Sequence, residues 1–299
     1  MSPRQLWPLN RELSWYFGLA YVVSWLIWLP RIATVQHWWG VGVPEWWHYL
    51  GAAGPITAAI LVSLVSGGRA EAAALLSRYS LRRAPVPWIA FAVASVLVML
   101  CLGLVVSRLV DGAWPTYQEL AKTSNLPAMG LPLTLLVHLV TFGIGEETGW
   151  RGFALPRLQS TRSAFHATHI LALFWGLWHI PTFFENRSMM EMSALTIVGW
   201  AASLWMGAIF LTWLFNSANG SLLVIVIWHA LLNQFSASDA SSVVAAAVSM
   251  GVVLTAFIAI AVAGPEQLRG LSRFSGSRQQ QPRQAAHHRV EAEHAFEAP

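Results

Sequence analysis

The sequence predicts an all-α membrane protein: a polytopic bundle of about eight transmembrane helices with an intramembrane cavity open toward the cytoplasmic side. Three observations predict it. Of the 299 residues, 11% are charged and 56% hydrophobic, with a mean hydropathy of +0.51, against about 25% charged in soluble domains. The apolar residues come in long blocks rather than amphipathic stripes, which is the pattern of bilayer spans. The 17 Trp suit the membrane interface, where an indole is half apolar and half wet. A disordered chain is excluded, and an ordinary soluble enzyme is argued against. The one cysteine, Cys101, lies in an apolar block, so no disulfide framework is available. A net charge of +4 and a pI near 9.7 would suggest nucleic acid in a soluble protein. Here basic loops held on the cytoplasmic side account for them, and no nucleic-acid partner is expected.

The blocks follow in order. A cytoplasmic segment over 1–14 precedes the first, 15–29, which lacks a small-residue cleavage site and reads as a retained span. The loop carrying Trp38, Trp39, Trp46 and Trp47 reads as an outer interfacial anchor. The second block is 49–66, and the stretch 69–83 (RAEAAALLSRYSLRR) reads as a basic helix on the inner surface. Blocks 86–110, 129–145, 167–184, 193–215, 221–235 and 243–264 complete the membrane domain, 15–264. Several fall short of the ~20 residues that cross about 30 Å of hydrocarbon. Block 221–235 is short and holds a His and an Asn, which is tolerated where a helix faces a protein-lined cavity. No internal repeat supports a transporter built from two similar halves. The tail, 265–299, has no apolar period and reads as a disordered cytoplasmic segment, with His287, His288 and His294 solvated rather than metal-binding.

Orientation follows from the arginines. With the N-terminus inside, only Arg31, Arg108, Lys122 and Arg187 of the 18 Lys and Arg fall outside. That bias puts both termini on the cytoplasmic side of the cell membrane. One span more or fewer would scramble the alternation, so the charges also support eight.

Ionisable groups inside spans are expensive and each asks for a partner or a task. Three places hold them: GEETGWRGFALPRL with Glu146, Glu147 and Arg151; LFWGLWHIP with His179; and IVIWHALLNQ with His229 and Asn233. If the helix continues past Gly145, Glu147 and Arg151 form an i,i+4 pair, and Glu146 points about 100° away. His229 and Asn233 are also i,i+4 and share a face. The set comes from three spans and is expected in the cytoplasmic half. A carboxylate beside an imidazole can hold and deprotonate a water, and an imidazole with a carboxamide can donate to the oxyanion of a tetrahedral intermediate. Alternatively, Glu146, His179 and His229 could bind Zn²⁺ with a water in the open position, although no HExxH is present. Polar side chains also glue transmembrane helices, by under ~2 kcal/mol each. His138 and His169 read that way, each several turns from the set. A paired Glu-Glu has little structural use, because one carboxylate satisfies Arg151.

These residues carry a family resemblance. EETGWR matches the EExxxR motif, and HALLN the HxxxN motif, of the CPBP family of membrane-embedded endopeptidases, which includes the type II CAAX prenyl endopeptidases and bacteriocin-processing and immunity proteins. The resemblance is specific over 146–233. It departs at the second motif, usually FxxxH, where Trp175 stands four before His179 with Phe174 beside it, so Trp175 and Phe174 are expected to line the pocket. The resemblance implies an intramembrane endopeptidase. Glu146 would be its general base, His179 the partner orienting water, His229 and Asn233 the oxyanion site, and Glu147 and Arg151 their support. Metal dependence is left open between metal-free water activation and a Zn site. The expected partners are the lipid bilayer and a peptide, lipidated or membrane-protein substrate. The alternative class is a catalytically silent immunity or scaffold protein, which the complete motif set argues against; a transporter would need a polar path to the outer face.

Overall fold

The computed structural model describes residues 9–269. The first eight residues, and the expected tail beyond 269 with His287, His288 and His294, lie outside the described residues. The described chain is built from α1 (Arg11–Val35), α2 (Ala53–Leu76), α3 (Val86–Val110), α4, α5 (Ala164–Trp178), α6 (Ala194–Ser217), α7 (Leu222–Ser236) and α8 (Ser242–Ala263). Helix α4 is continuous over 131–159. It starts as Leu131–His138, widens into π-helical turns at Leu139–Glu146 and Thr148–Ala154, and closes as Leu155–Gln159. Each apolar block is therefore helical, and among the described residues the β structure is a single bridge between Thr123 and Ser238.

The protein is an all-α polytopic membrane protein. Among the described residues five helical stretches are long and apolar enough to cross a membrane: Arg11–Val35, Glu45–Tyr79, Val86–Val110, Ala194–Ser217 and Ser242–Ala263. Their outer faces carry large apolar side chains such as Val65, Leu109 and Leu195, which are 87%, 79% and 82% exposed, as lipid contact requires. Helices α4, α5 and α7 fall outside those five. They are shorter, broken or more polar, and they hold the ionisable groups.

Local chemistry sets the ends. Asn10, Ser163, Ser193 and Ser241 each accept a backbone N–H from the first turn of α1, α5, α6 and α8, relieving donors that have no intrahelical partner. The Asn10 cap starts α1 at Arg11, four residues before the apolar block begins. The block 167–184 is cut at His179, after which Pro181 lies in a 3-10 turn, Ile180–Phe184. In α2 the backbone breaks at Gly68 (φ 65°, ψ −159°), a conformation open to glycine. The basic stretch beyond it continues as helix only to Leu76, then as short turns at Ser77–Tyr79 and Leu81–Arg83.

The bundle has two distinct ends. At the basic end, Arg157 of α4 bonds Glu12 of α1 and Glu71 of α2, Arg78 lies over the Phe215 ring, and the Ala164 N–H donates to the Glu266 carbonyl. Through that bond and the buried Leu268, residues 264–269 fold back onto the bundle. At the opposite end Lys122 pairs with Asp239 and Arg31 with Glu45.

Helix α4 reaches its central position through glycine. A Cβ on Gly145 would sit 2.6 Å from the Ala52 carbonyl oxygen, and one on Gly149 2.6 Å from the Pro55 carbonyl oxygen. Both obstacles are backbone and cannot rotate away. Gly149→Ala should therefore lower stability by about 1–3 kcal/mol, read as a depressed Tm in detergent. Gly199→Ala, where nothing lies within 4 Å, should leave Tm unchanged or raise it.

Candidate active site

Glu147 stands between the two wide turns of α4 and Arg151 on the second, and both are fully buried. Arg151 Nη1 donates to Glu147 Oε1 at 2.9 Å, the i,i+4 pair the spacing predicts. The same carboxylate oxygen lies 2.6 Å from Nδ1 of His229 on α7. One buried carboxylate thus holds both the guanidinium and an imidazole, so the structure gives Glu147 a second partner beyond Arg151. An unpaired charge here would lack the water that makes it tolerable.

Trp175 is the centre of the remaining contacts. Its indole N–H donates to Glu146 Oε2 at 2.8 Å, its face receives the Arg151 guanidinium at 4.3 Å, and the His229 ring stands edge-on at 5.8 Å. Its backbone carbonyl lies 2.7 Å from Nδ1 of His179. A carbonyl only accepts, so Nδ1 carries the proton and Nε2 of His179 is left as an acceptor. The departure from FxxxH therefore changes the chemistry as well as the shape: an indole bonds Glu146, which a phenyl ring cannot do.

His179 caps α5 at its C-terminus and is held by rings of Trp178 at 4.8 Å and Trp200 at 5.4 Å. Helix α1 fixes α5 from outside. The Tyr21 hydroxyl donates to the Phe174 carbonyl at 2.5 Å, and the Trp25 indole to the Trp178 carbonyl at 3.1 Å. Gln36 donates to the Phe184 carbonyl at 2.9 Å.

Glu146, Glu147, Arg151, Trp175, His179 and His229 form one connected network. Asn233 is one turn beyond His229, half-buried, and its carboxamide makes no hydrogen bond among the described residues. Phe174 does not line the pocket. It stacks on Phe17 of α1 at 4.0 Å, because adjacent helical residues point about 100° apart. Among the described residues no three His, Cys, Asp or Glu side chains converge to hold a metal, so the Zn set of Glu146, His179 and His229 is not assembled. Their ring nitrogens and carboxylates are instead turned to Trp175 and Glu147. His169 bonds its own helix at the Phe165 carbonyl, and His138 stacks on Tyr49.

Helix direction corrects one expectation. Helices α5 and α7 both start at the basic end, so His179 and Asn233, late in each, lie toward the opposite end rather than in the arginine-rich half. Sequence reasoning also missed a buried pair next to the site, His48 Nδ1 with Glu185 Oε1 at 2.5 Å. A His among the loop tryptophans and a Glu just past an apolar block were the available signals.

Fold and site together define a polytopic all-α membrane protein with a buried Glu–Arg–His–Trp centre between three of its less apolar helices. Residues 128–235 match the family model described as type II CAAX prenyl endopeptidase, Rce1-like. Over 105 residues the chain is 35% identical to CAAX prenyl protease 2 of Methanococcus maripaludis, an alignment that covers 34% of this chain and 38% of that protein. The chain is thus matched over little more than a third of that relative's length. The family match runs from just before α4 into α7 and contains every site residue named above. The resemblance to the CPBP endopeptidases is borne out over that stretch.

Removing one partner of a buried pair costs about 3–5 kcal/mol because the other charge stays behind. Arg151→Met should therefore lower Tm sharply in detergent. Glu147→Gln combined with Arg151→Met should recover most of the loss, since no unpaired charge remains. A double variant no more stable than the single one would contradict the pairing.

Proposed function

We propose that the protein is an intramembrane endopeptidase that hydrolyses a peptide bond in a membrane-associated peptide or protein with a water activated by Glu146. The observation that carries this reading is the bond from the Trp175 indole to Glu146 Oε2, made by the residue whose carbonyl orients His179. That bond holds one carboxylate oxygen and leaves the other, Oε1, for a water. Nε2 of His179, an acceptor by its tautomer, is suited to take the same water's second hydrogen.

In this mechanism Glu146 takes a proton from water as the water oxygen bonds the scissile carbonyl carbon. The negative charge that develops on the carbonyl oxygen is met by donors from α7. His229, whose Nδ1 lies against Glu147, would meet the oxyanion from Nε2, and the Asn233 carboxamide supplies a donor beside it. As the C–N bond breaks, Glu146 returns its proton to the leaving amine. Glu147 and Arg151 act by holding His229. The likeness to a CAAX prenyl protease supports peptide hydrolysis as the reaction class; a prenylated chain is one member of the proposed substrate class. The bilayer is the medium in which enzyme and substrate meet.

Two substitutions test it with detergent-solubilised protein and a membrane-peptide substrate. Glu146→Gln keeps the shape of the side chain and its bond from Trp175 but cannot accept a proton, and should lower kcat about 100-fold or more with Tm unchanged. Trp175→Phe deletes one hydrogen bond worth about 1–1.5 kcal/mol and should lower kcat about tenfold. Full turnover in Glu146→Gln would remove the assigned base.

A further inference from the structure

The arginine-rich end of the bundle holds a polar cavity that the proposed reaction does not use. It has a volume of about 520 Å³ and lies where α4 and α6 end, α5 and α7 begin, and the chain leaves α8. Its wall includes Arg162, Arg269, Gln159, Asn216 and Asn219, with Glu266 as the one carboxylate among the described residues. No residue of the Glu146 network lines it.

Arg78 stands against the same place. A Cβ on Gly220, a residue of the cavity wall, would lie 2.9 Å from Arg78 Nη1, and the guanidinium sits over the Phe215 ring at 5.7 Å. Arg78 is half-buried, and among the described residues no carboxylate pairs with it. A cation taken partly out of water asks for an anion. The start of α7 adds to that demand. Ser221 makes no side-chain cap there, and its buried hydroxyl has no hydrogen-bond partner among the described residues. The backbone N–H groups of a first helical turn carry partial positive charge and favour an anion in the same way.

The position of the cavity says which kind of anion it suits. Leu76 and Leu81, on either side of Arg78 in the chain, are exposed, as are Ile258 and Val262 in the last two turns of α8. Large apolar side chains left uncovered there are suited to acyl chains, so the cavity sits where hydrocarbon gives way to headgroups. Basic pockets between membrane helices at that depth bind anionic lipid headgroups.

We infer that this cavity holds the headgroup of an anionic phospholipid, with its phosphate among Arg78, Arg162 and Arg269 and its acyl chains along α8. A zwitterionic lipid would bring its own cation against the arginines. The site is separate from the Glu146 network, and the inference stands whether or not the protein is a hydrolase.

Lipid titration of the full chain in a neutral detergent tests it, with binding read as a rise in Tm. Short-chain phosphatidylglycerol should raise Tm saturably at concentrations where phosphatidylcholine and inorganic phosphate do not. Arg78→Gln and Arg162→Gln should each raise the half-saturating concentration about fivefold or more. Arg82→Gln, at an exposed arginine of the same segment, should leave it unchanged. If Arg78→Gln does not fold, Arg162→Gln carries the comparison. An equal response to phosphatidylcholine or to inorganic phosphate would overturn the assignment. So would a loss in Arg82→Gln as large as in the cavity variants, which would mean diffuse attraction to a basic surface.

Discussion

A charge that leaves water must be met by another charge, and in this molecule that requirement is concentrated in one carboxylate. Glu147, fully buried, holds Arg151 from its own helix and His229 from α7. Because both partners converge on the same oxygen, the register between α4 and α7 is fixed to within a hydrogen-bond length. The Arg151 guanidinium then lies on the Trp175 face, which brings α5 into the same arrangement. The three helices outside the long apolar set are thus joined by polar contacts where lipid-facing helices would rely on packing.

The backbone makes room for this. Wide π-helical turns, which tend to occur at functional sites, carry Glu146 and Arg151 and flank Glu147 on both sides. Glycines let α4 approach the backbone at Ala52 and Pro55. Helix α1 binds α5 through backbone carbonyls as well as through the Phe17–Phe174 stack, and the position of His179 is further set by tryptophan rings. The charged machinery sits on the helices least able to cross a bilayer alone, and the five long apolar stretches surround them.

Much of this was legible in the sequence. Block hydropathy located the long helices among the described residues, and Asn10, Ser163, Ser193 and Ser241 mark helix starts by side-chain chemistry. The spacing of Glu147 and Arg151 foretold their pair, which depends on one helix only. Contacts between helices were not legible. Nothing in the spacing says that His229 meets Glu147 or that His48 meets Glu185, since both pairs need the relative rotation of two elements. The motif position of Trp175 usually holds Phe, so the pattern marks an aromatic surface and carries no sign of a bond from the indole N–H. Trp175 takes the face toward Glu146, which turns the adjacent Phe174 to Phe17 of α1. The end of the bundle at which His179 lies follows from helix parity alone.

In the proposed mechanism Glu147 acts on the reaction through His229. A double-mutant cycle on kcat with Glu147→Gln and His229→Gln measures this directly, because coupling appears as non-additivity. If Glu147 works by holding His229, the double variant should be no slower than His229→Gln alone. Independent, multiplying losses from the two substitutions would contradict the claim.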